Sequence, residues 1–376
     1  MKKITPLVFE REDYMKRCIG IIMFLCFYCM VSSEEMCKKE LYNQESRTLD
    51  KLLYFGTLAP SSHNAQMWKI KIVSENEFFI IFDKEKNLNL VDPDYRESEI
   101  SIGAFLKNVI DGAKVLGVDM EYMVFDEIQS DDSIIHVTFK EKGTNSSKIE
   151  IKNFEELLLK RKTSKEKFLE KEVNQEVIKK IINNNGENVK YFAKGTPEFE
   201  YIRENTIKAY KLQGLDLNKR KELSNFFRFS DKEVNEKKDG FSAEMLGMDQ
   251  MKKFFYYKFF NKEKVEDLNF LKEEMKIITE QANSADGFLI IFGEKNSMKS
   301  NVNAGMILEE IWLNAARENV KIQPLSQMLE EKPFKSEISN KLGINGEVKM
   351  VLRTGYSGNN KMIKKNRKCV EDIVIK

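Results

Sequence analysis

The chain is poor in the residues that build metal centres. Its 376 residues include two histidines, His63 and His136, and five cysteines, four of them within residues 18–37. Cys369 is the only cysteine after that segment. A zinc or iron centre needs several histidine or cysteine ligands. We therefore predict no metal site, and no disulfide confined to residues 38–376.

An excess of charge of one sign is also missing. The chain has 62 lysines and arginines against 60 aspartates and glutamates, a net charge of +2. Binding to nucleic acid through bulk electrostatics needs a basic surplus, so no nucleic-acid partner is expected. The 41% hydrophobic and 32% charged residues are typical of a globular protein. A chain of this length exceeds one ordinary core, which predicts two domains or one duplicated domain.

One long apolar run is present near the start, CIGIIMFLCFYCMVSS at residues 18–33, and Lys16 and Arg17 precede it. The run is shorter than the roughly 20 residues that usually span a bilayer. It resembles the core of a signal peptide, for which Met15 would be the usual start. We expect residues 1–37 to be a signal peptide or a short membrane anchor. The protein would then be exported or membrane-associated; a buried helix in a cytoplasmic protein is the alternative.

The remainder of the chain alternates helical and strand patterns. Leucines at helical spacing predict a helix over residues 48–59, which ends where Pro60 forces Ala59 out of the helical conformation. Apolar runs bounded by turn residues predict strands, namely MWKIKIV, EFFIIFD, EYMVFDE, SIIHVTFKE, DGFLIIFGE and VKMVLRTGYS. The expected fold class is therefore α+β.

Two helical segments, residues 101–118 and 303–320, are related by a constant offset of 202 residues. We predict a duplicated fold of two similar halves packed face to face, the single-chain counterpart of a symmetric dimer, and so a monomer. The halves are expected at residues 46–150 and 151–376, with a helical insertion at about 190–275. The identical pairs at this offset are Gly103 with Gly305, Leu106 with Leu308, Ala113 with Ala315 and Val118 with Val320.

RKTSK at residues 161–165 combines two cations with a hydroxyl group. If the segment is extended, Arg161, Thr163 and Lys165 share one face, and charge-assisted hydrogen bonds from that face would suit a phosphate. In a chain with 62 basic residues, a solvated run of charge is the simpler interpretation of the motif alone.

Four motifs together resemble the flavin-dependent nitroreductase superfamily. APSSHNAQMW at 59–68 resembles the family's APSxxNxQPW loop, with Met67 at the proline position. RKTSK resembles the element that holds the phosphate of FMN. IQPLSQ at 322–327 resembles the segment beside the flavin ring, and KKNRK at 364–368 resembles the basic C-terminal element. Because the loop precedes the phosphate element, the chain resembles the fused single-chain, Acg-like branch.

The resemblance implies a nitroreductase-like fold with one FMN between the halves. NAD(P)H would reduce the flavin, and a nitro compound, a quinone or a similar small molecule would reoxidise it. The flavin would carry the chemistry, so no catalytic side chain is expected, and His63 would be a loop residue beside the cofactor. The implied cofactor-binding residues are Pro60, Ser61, Ser62, Asn64, Gln66, Arg161, Thr163, Lys165, Pro324, Leu325, Ser326, Lys365 and Arg367.

Two departures from the family leave alternatives open. Met67 is expected to loosen its loop, and MKKFFYYKFF at residues 251–260 is expected to be a lid over the flavin or a helix on a membrane surface. Either departure would suit a protein that binds or sequesters FMN with little turnover. A membrane-associated structural protein that uses residues 18–33 is the second alternative.

Overall fold

The computed structural model describes residues 46–142, 147–359, 363 and 365–375. The segment expected to be a signal peptide or anchor, residues 1–37, lies outside these ranges. Within them, no helix has both the length and the apolar character needed to cross a membrane.

The first half contains a five-stranded sheet with the strand order β3-β4-β2-β1-β9. The neighbouring pairs are antiparallel except for β9, which pairs with β1 in parallel. In chain order the elements of this half are α1 (Thr48–Thr57), β1 (Trp68–Ser74), β2 (Glu77–Phe82), α2 (Arg96–Val115), β3 (Val118–Val124), β4 (Ser133–Glu141) and α3 (Lys148–Lys160), and the chain ends with α15 (Val370–Ile373) and β9 (Val374–Ile375).

The second half contains a four-stranded antiparallel sheet with the order β5-β6-β8-β7. Its elements begin with α4 (Gln175–Ile182), β5 (Val189–Ala193), α5 (Pro197–Leu215), α6 (Leu217–Ser224), α7 (Asp231–Lys237), α8 (Gln250–Phe259), α9 (Lys262–Glu266) and α10 (Leu268–Asn283). They continue with β6 (Gly287–Gly293), α11 (Met298–Arg317), β7 (Lys321–Pro324), α12 (Gln327–Glu330), α13 (Lys332–Lys335), α14 (Ile338–Lys341) and β8 (Glu347–Gly355).

The two sheets have the same connectivity. In each, two strands are followed by a long helix and two more strands, and the order β3-β4-β2-β1 corresponds to β7-β8-β6-β5. The α+β fold class is confirmed. The extra strand β9 was not expected, because a pairing between residues 70 and 374 leaves no local pattern in the sequence.

The helices α2 and α11 cross at the two glycines of the repeated segment. A Cβ atom on Gly103 would lie 2.0 Å from the carbonyl oxygen of Val302, and one on Gly305 would lie 2.0 Å from that of Ile100. Ile100 and Val302 are themselves 202 residues apart, so each half presents the same pair of positions to the other. Such reciprocity is the geometry of a two-fold contact.

The two sheets differ in how they are covered. The inner face of the first sheet packs on α1 and α2 through a cluster that includes Trp68, Phe78 and Phe105, whereas Tyr122 and Met123 of β3 are exposed. The second sheet is covered on both faces, because Leu289 packs towards α11 and Ile290 towards α5 and α10. Burial on both faces accounts for the unbroken apolar run of β6.

The helical insertion is narrower than the expected range of 190–275. Phe199 and Ile202 of α5 pack on Phe288 of β6, so β5 and α5 belong to the second half. A separate small cluster forms around Phe227, Tyr256 and other residues of the segment 216–267, which is therefore the insertion.

Candidate functional site

A cavity of ≈ 740 Å³ lies where the two halves and the insertion meet. Of the thirteen cofactor-binding residues that the resemblance implies, only Gln66 does not line this cavity. The twelve others do: Pro60, Ser61, Ser62, Asn64, Arg161, Thr163, Lys165, Pro324, Leu325, Ser326, Lys365 and Arg367.

The loop after α1 has an unusual backbone. His63, Asn64 and Gln66 have φ values of 52°, 55° and 54°, in the left-handed region that residues other than glycine seldom adopt. Hydrogen bonds hold this shape: the Ser62 N–H donates to the Ser101 hydroxyl at 3.0 Å, and the Gln66 N–H donates to the Ser61 hydroxyl at 3.0 Å. Strain kept in place by such contacts is typical of functional loops.

Gln66 and Asn64 fasten the loop to the insertion and to the C-terminal segment. The Gln66 amide donates to the Lys238 carbonyl at 2.8 Å, and its oxygen accepts from the Lys368 N–H at 2.9 Å. The Asn64 amide donates to the carbonyl of Gly240 at 2.9 Å. The contacts of Gln66 are therefore structural, which explains why it does not reach the cavity.

Met67 does not loosen the loop as expected. Its side chain is fully buried in the core of the first half, and its carbonyl accepts from the Asp83 N–H at 3.0 Å. A flexible thioether side chain can fill an irregular space in a core, so the position needs no proline to be fixed.

The RKTSK segment is extended beside β7, as its alternating pattern indicated. Thr163 forms a parallel bridge with Ile322, and the Ser164 N–H donates to the Ile322 carbonyl at 3.1 Å. Arg161, Thr163 and Lys165 reach the cavity, while Ser164 is buried.

Arg353 on β8 fixes this segment from behind, and sequence reasoning missed it. Its guanidinium donates to the carbonyls of Ser164 and Glu166 at 2.9 and 2.8 Å, and to that of Gln281 at 2.7 Å. It also stacks 3.9 Å from the ring centroid of Phe168. Burial lowers the pKa of Arg353 to about 9. The only signal in the sequence was one cation within the apolar strand VKMVLRTG.

Arg161 is paired inside the protein. Its Nε lies 3.2 Å from Oε1 of the fully buried Glu309, its Nη2 donates to the Leu58 carbonyl at 2.9 Å, and its guanidinium lies 5.0 Å from the Trp312 ring centroid. Burial lowers the pKa of Arg161, and the charge of Glu309 opposes that shift. Glu309 therefore offsets much of the positive charge that this arginine was expected to offer a phosphate.

Lys165 is in the opposite situation. Its Nζ lies 4.5 Å from the ring centroid of Phe241, and no carboxylate in the described ranges forms an ion pair with it. Burial lowers its pKa to about 8. A buried cation is costly without a counter-charge, so this position favours an anionic ligand.

The segment at the end of β7 also differs from expectation. Leu325 was expected to bind the cofactor, but its N–H donates to the Val351 carbonyl at 2.9 Å within the sheet. From the C-terminal side, Lys365 Nζ donates to the Leu158 carbonyl at 3.0 Å, and Arg367 donates to the side-chain oxygen of Asn64. Both cations line the cavity beside the loop.

Two carboxyl groups that sequence reasoning missed meet at the cavity wall. Glu97 begins α2 and Glu330 ends α12, and a hydrogen bond joins their side chains. Ser62 donates to Glu97 at 2.6 Å, and Ser326 donates to Glu330 at 2.6 Å. The residues around the IQPLSQ motif did not indicate this pair, because Glu97 and Glu330 are 233 positions apart in the sequence.

The two carboxyl groups differ in pKa. Burial opposes ionisation of Glu97, but the Arg96 guanidinium and the hydrogen bonds from Glu330 and Ser62 lower its pKa to about 2. Burial and the adjacent charge of Glu97 raise the pKa of Glu330 well above its usual range. His63 is neutral, since burial lowers its pKa to about 4. These opposite shifts favour one shared proton on the pair, held on the Glu330 side.

The insertion supplies an aromatic wall. Phe255, Tyr256 and Phe260, at and just after α8, line the cavity. Tyr256 is buried, whereas Phe255 is half exposed to solvent, as are Met251 and Phe254 of the same helix. Other apolar residues extend the wall, namely Leu223, Phe227, Leu246, Met248, Phe270 and Ile277.

No protein-family model and no curated protein sequence matches the chain. Among solved structures it is similar to the FMN-dependent nitroreductase NfnB from Mycobacterium smegmatis in complex with NADPH, with 12% identity, a TM-score of 0.34, and coverage of 54% of this chain and 87% of that chain. It is also similar to oxidized iodotyrosine deiodinase bound to FMN and 3-iodo-L-tyrosine, with 16% identity, a TM-score of 0.31, and coverage of 56% and 92%.

Proposed function

We propose that the chain is an FMN-dependent oxidoreductase of the nitroreductase type, in which the two halves stand for the two subunits of a dimer. NAD(P)H is the proposed electron donor, and a quinone, nitro compound or similar small molecule is the acceptor. The observation that carries the proposal is Lys165, a half-buried cation without a carboxylate partner in the described ranges, at the wall of an apolar cavity between the halves.

The residues around the cavity fit FMN. Its phosphate is an anion, for which Lys165, Thr163 and the two C-terminal cations Lys365 and Arg367 offer charge and a hydroxyl donor. The buried Tyr256 hydroxyl has no hydrogen-bond partner in the described part of the chain, so it is available to a polar ligand atom. Apolar and aromatic walls suit a flat ring system. Bound FMN would supply electron storage and hydride transfer, while these residues bind and orient it.

Lys165→Gln tests the phosphate contact. We expect FMN to bind about 30-fold more weakly, because losing a charge-assisted contact at a desolvated site costs on the order of 2 kcal/mol. The measurement is quenching of FMN fluorescence during titration with the apoprotein. Lys165 serves this test better than Arg161, whose removal would leave Glu309 buried without its counter-charge.

Two controls make the result specific. Lys167→Gln removes a nearby exposed cation that does not line the cavity, and should leave FMN affinity unchanged. Riboflavin lacks the phosphate, so its affinity should be the same for the wild type and for Lys165→Gln. Equal losses for FMN and riboflavin, or a protein that takes up neither, would contradict the proposal.

Flavin sequestration is the second candidate, and the aromatic wall of the insertion favours it because a covered flavin is shielded from bulky acceptors. Protein that binds FMN but is not bleached by either NADH or NADPH would support sequestration over turnover.

We further propose that the protein works in an oxidising compartment. Cys369 is the one cysteine in the described part of the chain, and a disulfide at this residue would point to such a compartment, because disulfides persist mainly outside the cytosol. Thiol labelling of Cys369 in the denatured protein, with and without reductant, tests this. Labelling without reductant would contradict it.

A further inference from the structure

We propose that Glu330, paired with Glu97, is the acid that delivers a proton to the electron acceptor. The inference rests on the proposed function and adds a catalytic residue to it. Both carboxyl groups line the cavity, and each is contributed by a different half. The pair therefore exists only where the two halves meet, which is where the ligand would lie.

The Arg96 guanidinium beside Glu97 gives the two groups different roles, because Glu330 has only neutral donors among the described residues. Glu97 accepts from Ser62 at 2.6 Å and from the Arg96 guanidinium at 3.1 Å, and both donors favour a carboxylate. Glu330 accepts from Ser326 at 2.6 Å and from the Gln213 amide, and it lies against the negative charge of Glu97. Two adjacent buried carboxyl groups cannot both be ionised without a large cost. Glu330 therefore keeps the shared proton.

Reduction of a quinone requires such an acid. Bound FMN, reduced by NAD(P)H, would supply a hydride equivalent, which is two electrons and one proton, and one further proton must come from elsewhere. The O–H bond of Glu330 breaks, an O–H bond forms on the acceptor oxygen, and Glu330 is left as a carboxylate. A proton from the bulk solvent then restores Glu330 before the next cycle. This proton is the one that the overall reaction of NAD(P)H, H⁺ and quinone to NAD(P)⁺ and hydroquinone consumes, so the step balances.

The surroundings of the pair contain other charged groups that set its pH range. Asp92 and Asp94 lie just before α2, and Arg96 is its first residue. The charge of Glu97 raises the pKa values of Asp92 and Arg96. The loop contributes the neutral His63, and RKTSK contributes Lys165, which lowers the pKa of His63. The helices α5, α6 and α10 contribute the remaining groups, which are Tyr210, Gln213, Lys219, Arg220 and Glu274.

Glu330→Gln tests the role, because glutamine keeps the shape and hydrogen-bonding capacity of the side chain but has no proton to give. In stopped-flow measurements on the FMN-loaded protein, we expect reoxidation by a soluble quinone to slow by about 100-fold. Reduction by NADPH should stay within about two-fold of the wild type. Wild-type reoxidation should slow as pH rises and Glu330 loses its proton, and this dependence should be absent from the variant.

Glu99→Gln is the matched control. Glu99 is a buried carboxyl on the same helix with a raised pKa, but it does not line the cavity. This variant should reoxidise like the wild type. Ser326→Ala removes a hydrogen bond that favours ionised Glu330, so the fall in reoxidation rate should move to higher pH.

A measurement on the apoprotein tests the proton directly. At about pH 8, where Glu99 with its pKa of about 7 is mostly ionised, infrared spectra should retain a protonated carboxyl band. Glu330→Gln should remove this band, and Glu99→Gln should leave it. An absent band, unchanged reoxidation in Glu330→Gln, or equal slowing of both half-reactions would overturn the inference alone. Failure to bind FMN would overturn the proposed function and the inference together.

Discussion

The sheets of the two halves share one strand order but differ in how far their faces are buried. The first sheet leaves Tyr122 and Met123 in solvent, whereas β6 in the second sheet is covered on both faces. Their contributions to the cavity differ in the same way. The first half supplies a loop held by hydrogen bonds around Asn64 and Gln66. The second half supplies the carboxyl group of Glu330 at the cavity wall and the buried cation Arg353 behind it. The two halves therefore share a strand order while they place different groups around the cavity.

The helix crossing is where the halves are most alike, and breaking it should have the largest effect. Gly103→Ala and Gly305→Ala each place a Cβ atom 2.0 Å from a backbone oxygen that cannot move without shifting a helix. We expect each to lower the free energy of unfolding by about 3 kcal/mol or more. Chemical denaturation measures it.

Similar losses from the two glycine variants would support a symmetric contact. Gly186→Ala is the control, because nothing lies within 4 Å of the added methyl group. If only one of the two variants lost stability, the two sides of the crossing would differ in energy although their geometry is reciprocal.

Buried charge is where the halves differ most, and Arg353→Met tests it. The variant leaves the carbonyls of Ser164, Glu166 and Gln281 without their donor. We expect a loss of about 3 kcal/mol in stability, together with weaker FMN binding because the RKTSK segment is no longer fixed. Lys71→Met in the first sheet is the counterpart, since Lys71 forms a half-exposed ion pair with Asp131. Lys71→Met should lower the free energy of unfolding by less than about 1 kcal/mol. Equal losses for Lys71→Met and Arg353→Met would show that buried charge does not distinguish the two halves.

The smallest effect is expected at the pair Glu99 and Asn301, which are 202 residues apart and hydrogen-bonded at 2.7 Å. Burial raises the pKa of Glu99 to about 7, so the folded state binds its proton more tightly than the unfolded state. The protonated Glu99 side chain therefore contributes its full stabilisation below about pH 4.5, and this stabilisation is lost as pH rises through about 7.

Glu99→Gln should remove this part of the pH dependence, on the order of 2 kcal/mol between about pH 5 and pH 8. Melting temperatures across that range measure it. Parallel curves for the variant and the wild type would mean that other groups, such as Asp92, govern the slope.

Local patterns in the sequence predicted much of this molecule. Apolar runs bounded by turn residues located six of the nine strands in the described ranges, though not β5, β7 or β9. The offset between Gly103 and Gly305 located the helix crossing. RKTSK met the condition, an extended backbone, under which its alternating residues were expected to share one face. These features follow from patterns within short segments, so they can be predicted from a single sequence.

Features that depend on distant residues were missed. Arg353 looked like an interruption in an apolar strand. Its partners are backbone carbonyl groups, which every residue has, so the sequence does not reveal them. The carboxyl pair needs α2 and α12 to be placed side by side. Arg161 was expected to serve a phosphate, because nothing in the sequence indicated that Glu309 would be buried against it. The roles proposed for the cavity residues remain predictions until FMN binding is measured.

The strand β9 has a consequence for the order in which the protein is made. Val374 pairs with Ile70, and the residues just before it close the loop that holds Gln66. Synthesis runs from the N-terminus, so the first half emerges early but receives its edge strand and its loop contacts last. Pairings between such distant residues form slowly. The nascent first half therefore stays incomplete until residues 368–375 have been added.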